Sequence, residues 1–329
     1  MTVGDPAGCG PAITSAAWTE LRAHPEFAFF VLGPPELYSD ALRVEMIQNP
    51  EEAVAAFRSA LPVLPVDVPL SAPVIAGTPN SENAPATIES IRNAVELALQ
   101  GEVGAVVTNP ISKAVLYDHG FEHPGHTEYI ASLCNAQTGA NDYPDMILVG
   151  GGLKVALATI HIPLKDVPNA LNSGDLERVA RTVHSSLRLR FGCAEPRIAF
   201  AGVNPHAGEN GAIGQEEIEL INPLAEALRA EGLSITDARP GDTVFNEALG
   251  GAFDAVIAMS HDQGLIPVKI LDFWGGVNTT IGLPIIRTSP DHGTAYDAAR
   301  NGTARPESLI SAIRLAAEMI QHRDATSNG

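Results

Sequence analysis

The sequence predicts an α/β protein with a largely parallel sheet. Short apolar, β-branched runs alternate along the whole chain with longer stretches of helical period. The chain has 329 residues, 45% of them apolar, enough for one large core or two interlocked ones.

Taken in order, the strands are expected at 27–32, 103–107, 146–149, 155–160, 198–203, 255–259 and 283–286, with helices between them. A helix over 83–100 follows from Ile88, Ile91, Val95 and Ala98 sharing a face, with Gly101 as its stop. A second, over 175–190, places Leu176, Val179, Val183 and Leu187 on one face and has Gly192 beyond its end. A shorter helical segment covers 128–134. The stretch 61–85, rich in proline and small residues, is read as a surface excursion, and 322–329 as a frayed tail.

Composition excludes several function classes. No apolar run reaches the roughly 18 residues of a membrane span, and MTVGDPAGCG lacks the basic flank and apolar stretch of a secretory signal, so a cytoplasmic protein is expected. Cys9, Cys134 and Cys193 form no C-x-x-C pair, which fits a reducing compartment and unreactive thiols. A formal charge of −19, with dispersed Lys and Arg, argues against nucleic acid as a partner. It does not exclude an anionic substrate, because a site is governed by charges within a Debye length.

Three strand signals are followed within a few residues by a histidine: VALATI by His161, IAFAGV by Asn204, Pro205 and His206, and AVIAM by Ser260 and His261. Carboxyl ends of parallel strands meet in one crevice, so these imidazoles are placed to hold a divalent ion with a position left open. Any one alone is better explained as a strand cap; the three together favour ligation. His24, His119, His123, His184 and His322 lie in helix or loop contexts and are read as solvated.

A second group suits an anion. Gly125, His126, Thr127 and Glu128 open a helical segment whose free N–H groups and dipole favour negative charge. Lys269, Asn278 and Arg287 add a point charge, an amide and a guanidinium fork. Gly8-x-Gly10 is followed by Ile13 at the third-glycine position, so the dinucleotide fingerprint is incomplete, and a tight turn before a helix is expected instead. Ser289 to Ala295 is a polar loop leading into a helix.

The segments GDPAGCGP, TNPISKAVL, PGHTEYIA, ATIHIPLKDV, GVNPHAGENGAIGQEE, MSHDQGLIPVK and GVNTTIGLPIIRTSPDHGTA, in this order, resemble the 4-hydroxythreonine-4-phosphate dehydrogenase (PdxA) family. The resemblance implies a two-domain fold like that of isocitrate and isopropylmalate dehydrogenases, with largely parallel sheets and an active-site cleft between the domains. Residues 1–125 with 270–329 would form the cofactor-side domain, and 126–269 the metal and dimer side. It implies that His161, His206 and His261 bind zinc, magnesium or cobalt, and that His126, Thr127, Lys269, Asn278 and Arg287 bind substrate. Asp291, His292, Gly293 and Thr294 would line the pocket for NAD or NADP, and Lys269 and Asp242 are the candidate proton acceptors. The expected partners are a small phosphorylated hydroxy-amino acid and a second copy of the chain, in a homodimer with an interfacial active site.

The implied reaction is oxidation of 4-phosphooxy-L-threonine to a β-keto acid that decarboxylates to 3-amino-2-oxopropyl phosphate, in pyridoxal 5′-phosphate (vitamin B6) biosynthesis. Two departures stand out: the chain starts almost on the GDPAG turn, and Ala298, Ala299, Arg300, Asn301 and Gly302 replace an Ala-Gly-x-Gly run. Alternatives are a 4-phosphothreonate or phosphoerythronate dehydrogenase, a cis-dihydrodiol dehydrogenase, a phosphate acyltransferase, or a protein whose histidines are structural.

Overall fold

The computed structural model describes residues 1–327. The chain forms two compact units, Met1–Pro144 with Leu283–Ile320, and Asp145–Gly282 with the residues from Gln321 onward. Strands β1 (Val31–Leu32), β2 (Val44–Met46), β3 (Leu61–Leu64) and β4 (Val106–Val107) belong to the first unit. Strands β5 (Asp145–Gly150), β6 (Leu153–Leu157), β7 (Arg197–Phe200), β8 (Ser234–Ile235), β9 (Ala255–Ala258) and β10 (Val277–Ile281) belong to the second, and β11 (Arg287–Pro290) to the first again.

In the first unit β3 lies between β1 and β2 and is parallel to both, and β4 runs parallel to β11 with Val106 opposite Arg287. The predicted helical face turns to the core: Ile91 and Val95 of the helix Ala84–Leu99 are buried and pack with Ile130 and Cys134 of the helix His126–Thr138, with Ile88 and Ala98 partly buried beside them. That packing puts the His126 helix in the first unit. The expected boundary at 126 differs from this, because Tyr129, Ile130, Ala131 and Cys134 share one core with β4 and the β1 region. β10 falls in the second unit because it pairs along its length with β5.

The second unit orders its strands β10-β5-β6-β9-β7-β8. From β6 to β8 the pairing is parallel, whereas β5 runs antiparallel to both β10 and β6. Asn172 caps the helix Ser173–Arg190 by accepting from Asp175 N at 2.9 Å. Leu176, Val179, Val183 and Leu187 then pack on Ile147, Ile198, Phe200 and Ile257, each fully buried side chain contributing roughly 1.5–3 kcal/mol.

Several expected elements move. The first strand shortens to Val31–Leu32, because Pro25 starts a 3₁₀ turn at Pro25–Phe27. The strand over 103–107 keeps only its last two residues. Leu61–Leu64, inside the supposed surface excursion, is the central strand of a three-stranded sheet, with Leu61 and Val63 buried. The apolar run 283–286 is not a strand: Gly282 has φ +81° and Pro284 has no N–H to donate, so pairing starts at Arg287. The tail over 322–329 is helical through Ser327, the rest lying outside the described residues, and Thr326 Oγ1 donates to His322 O at 2.9 Å. No described helix is long and apolar enough to cross a membrane.

Candidate active site

In the first unit, Arg287 opens β11 with only 4% of its surface exposed. Its Nε and Nη2 both donate to Thr108 Oγ1, at 3.1 and 2.7 Å. Burial pushes its pKa down to about 10 while the nearby Glu128 carboxylate acts the other way, so the guanidinium stays charged at neutral pH. His126 is the first residue of its helix, and its Nε2 is buried with no hydrogen-bond partner among the described residues. Burial, and then the positive charge of Arg287, hold its pKa well below the usual histidine range, so the ring is neutral.

Both side chains line a cavity of about 180 Å³, shared with Asn109, Lys113, Ser289 and His292. Its volume is well above the ~15 Å³ that one water needs. Backbone N–H groups at the start of the helix, an uncommitted imidazole nitrogen and a buried guanidinium are complementary to a small anion. Thr127 follows in the same helical turn and is half-buried.

The glycine-rich turn holds the expected cofactor loop beside this cavity. Gly4 has φ +74°, and a Cβ there would meet Asn109 Cβ and Pro110 O at 2.7 Å, so only glycine fits. Asp5 N donates to Pro110 O at 2.9 Å, Cys9 N to Thr294 O at 2.8 Å, and Tyr296 OH to Asp5 Oδ2 at 2.5 Å. Burial, followed by the Asp5 hydrogen bond, pushes the Tyr296 phenol up to about 12. Asp291 N donates to Ser308 Oγ at 3.0 Å, and His292 and Gly293 line the cavity with His126 and Arg287. Cys9 is buried, with burial raising its pKa to about 11, as expected of an unreactive thiol.

In the second unit, His161 lies just beyond the end of β6, and His261 is the first residue of the helix His261–Leu271 after β9. Their ring centroids are 5.4 Å apart. Although adjacent side chains on extended backbone would diverge, His261 Nδ1 lies 2.8 Å from Asp262 Oδ1, because a helix begins here. His206 follows β7 but does not join the pair: among the described residues no three His, Cys, Asp or Glu side chains gather at metal-binding distance. Two imidazoles together match part of the donor set of a divalent ion.

The backbone around His206 is unusual. His206, Ala207, Gly208, Glu209 and Asn210 all have positive φ, between 47° and 80°. Glu217, 1% exposed, anchors this left-handed run by accepting from Asn204 N at 2.8 Å and from Asn204 Nδ2 at 3.0 Å. Gln263 joins the ends of β9 and β7, accepting from Met259 N and donating to Gly202 O, both at 2.7 Å.

Of the remaining predicted residues, Lys269 Nζ lies 5.6 Å from the Phe273 ring, Asn278 sits on β10 opposite Leu148, and Asp242 is exposed before the helix Val244–Leu249. Lys113, Asn109, Glu217 and Gln263 were missed. Each lies in a segment whose resemblance was noted, but none has a spacing signal of its own.

The sequence profile described as pyridoxal phosphate biosynthetic protein PdxA matches residues 27–316. A relative from Caulobacter vibrioides, named 4-hydroxythreonine-4-phosphate dehydrogenase, is 48% identical over 328 residues, 98% of this chain and 97% of its own. The crystal structure of 4-hydroxythreonine-4-phosphate dehydrogenase from Klebsiella pneumoniae is similar at 39% identity and a TM-score of 0.82, covering 97% of this chain and 98% of that one. A terephthalate 1,2-cis-dihydrodioldehydrogenase from Burkholderia xenovorans is 28% identical with a TM-score of 0.64, over 96% of both chains.

Proposed function

Because the chain belongs to the PdxA family of pyridoxal phosphate biosynthetic proteins, we propose that it oxidises 4-phosphooxy-L-threonine at its C3 hydroxyl in vitamin B6 biosynthesis, in the cytoplasm. The β-keto acid formed loses carbon dioxide to give 3-amino-2-oxopropyl phosphate. Within the structure, the observation that carries this reading is the cavity lined by the buried Arg287 guanidinium and a neutral His126 whose Nε2 has no hydrogen-bond partner among the described residues. The terephthalate-diol and acyltransferase readings are not favoured, since relatives at 42–48% identity carry the phosphohydroxythreonine name.

His126 and Arg287 bind and orient an anionic group of the substrate, and the free N–H groups of the helix N-terminus add further donors to it. Thr127, Lys269 and Asn278 are assigned to the rest of the substrate, with Lys269 or Asp242 accepting the hydroxyl proton. Asp291, His292, Gly293 and Thr294 are assigned to NAD or NADP, which when bound supplies the hydride acceptor. His161 and His261, with His206 as third ligand, would hold a zinc, magnesium or cobalt ion, whose contribution when bound is Lewis acidity at the reacting oxygen.

A homodimer with an interfacial site accounts for the surface around the paired imidazoles. Leu164 is 77% exposed and Ile270 79%, and Ile266 and Phe273 add further exposed apolar surface on the same two segments as His161 and His261. Apolar surface of this kind marks an association face. His206 standing apart from the other two rings fits a metal site completed on dimerisation.

The test is NAD reduction with 4-phosphooxy-L-threonine, phosphothreonate and phosphoerythronate, each with added divalent ions and after chelation. Turnover of the first, abolished by chelator and by His206→Ala, is expected. Turnover that survives thorough metal removal would refute the metal assignment, and no turnover of 4-phosphooxy-L-threonine would refute the reaction.

A further inference from the structure

Lys113 has no role in the assignments above, yet it lines the same cavity as His126 and Arg287. It opens the helix Lys113–Tyr117, where Ser112 Oγ caps by accepting from Val115 N. Although the side chain is largely exposed, its end lies against Gly125, the residue that caps the His126 helix. A Cβ built on Gly125 would stand 3.1 Å from Lys113 Cε and 3.2 Å from its Nζ. The ammonium has no hydrogen-bond or ion-pair partner among the described residues. One carboxylate is close by, Glu128 Oε2, at 2.8 Å from the same built Cβ.

The cavity therefore combines two cations of different character. Arg287 is buried and hydrogen-bonded to Thr108, whereas Lys113 is an exposed point charge at the rim, beside the N-terminal end of the His126 helix. A single fixed guanidinium matches one negative charge. A phosphate monoester carries nearly two at neutral pH, its second pKa being about 6. We propose that Lys113 supplies the second positive charge that makes this cavity select a dianionic phosphate monoester over a singly charged group of the same shape. The inference rests on the phosphorylated-substrate reading above and extends it to a specificity-determining residue.

Methyl phosphate and methyl sulfate are nearly isosteric and differ in charge at mildly alkaline pH, so they are the probes. Binding to the full-length protein is followed by NMR of the His126 imidazole and by inhibition of NAD reduction. The wild type should bind methyl phosphate about tenfold more tightly than methyl sulfate. Lys113→Met should weaken methyl phosphate about tenfold and abolish the preference, Lys113→Arg should restore most of it, and the loss with 4-phosphooxy-L-threonine should fall on KM. An unchanged phosphate-to-sulfate ratio in Lys113→Met, with the fold intact by thermal unfolding, would overturn the inference. Discrimination that depends on Lys113 in a protein that oxidises no phosphorylated hydroxy acid would instead overturn the proposed reaction and leave this inference standing.

Discussion

Glu217→Leu tests what holds the left-handed turn around His206. Four non-glycine residues there have positive φ: His206, Ala207, Glu209 and Asn210. At roughly 1–2 kcal/mol per residue, the run costs about 4–8 kcal/mol relative to ordinary backbone. The two hydrogen bonds from Asn204 to the buried Glu217 carboxylate contribute about 1.5–3 kcal/mol each, or about 3–6 kcal/mol together. These sums are comparable, so the turn keeps its shape only while the anchor is intact.

Removing the carboxylate should let the turn relax, and the strain released should offset part of the loss. We expect the free energy of local opening to fall by about 3 kcal/mol, which is about a hundredfold in protection. Hydrogen exchange read by mass spectrometry should show this over residues 204–213, with the β9 amides unchanged. Glu217→Gln, which keeps the shape but turns an acceptor into a donor, should lie between. Unchanged protection over 204–213 would refute the anchor, and an equal fall in β9 would show a global effect instead.

Three further outcomes follow from the charges and surfaces. The folded pKa of His126 is depressed by burial and by Arg287, whereas the unfolded chain takes up a proton near pH ~6.5. Its contribution to stability is therefore complete above ~6.5 and lost as pH falls below it; the His126 resonance should not titrate between about pH 8 and 6, and His126→Phe should flatten the acid limb of stability. Arg178→Met leaves the Asp145 carboxylate buried without its guanidinium, which now lies at 2.5 Å. It should cost about 3 kcal/mol in urea unfolding, largely recovered by Asp145→Asn in the double variant. If the proposed homodimer forms through this face, Ile270→Glu should shift sedimentation toward monomer and lower NAD reduction in parallel; an unchanged sedimentation coefficient would refute the association face.

What was legible in the sequence follows from how each feature is encoded. The helices Ala84–Leu99 and Ser173–Arg190 are legible because four apolar residues at helical spacing commit a face to the core: all four are buried in the second helix, and in the first Ile91 and Val95 are buried while Ile88 and Ala98 are partly buried against the same cluster. The strands β1 and β4 lie at the ends of longer apolar runs that overstate their length, the two-residue β8 is too short to show a period, and β10 reads Val-Asn-Thr-Thr-Ile, with three polar residues that only its neighbour β5 explains. In the site, His126 and Arg287 are named first as anion-binding residues from a helix start and a guanidinium, then assigned to substrate by the resemblance, and the structure brings them to one cavity. Lys113 was not named, because a lysine after a proline-containing loop has no distinguishing neighbours in sequence. Its meaning comes from Gly125, twelve residues on, whose missing side chain makes room for it.

The same contrast resolves the conflict between a chain of net charge −19 and an anion-binding reading. The acidic residues are spread over a surface where water and salt screen each beyond about 8 Å. Arg287 is not screened in that way: it is buried, its Nε and Nη2 donate to the Thr108 hydroxyl, and burial outweighs the Glu128 carboxylate in setting its pKa. Holding a cation in a buried site is costly, and an anion entering the cavity removes part of that cost as it binds. Desolvation that is unfavourable for the free protein thus becomes selectivity for a charged ligand. It also explains why His126 must be neutral, since a second fixed cation at this depth would raise the cost of the empty cavity. A further positive charge is tolerated only at the rim, where water still reaches it, and that is where Lys113 lies.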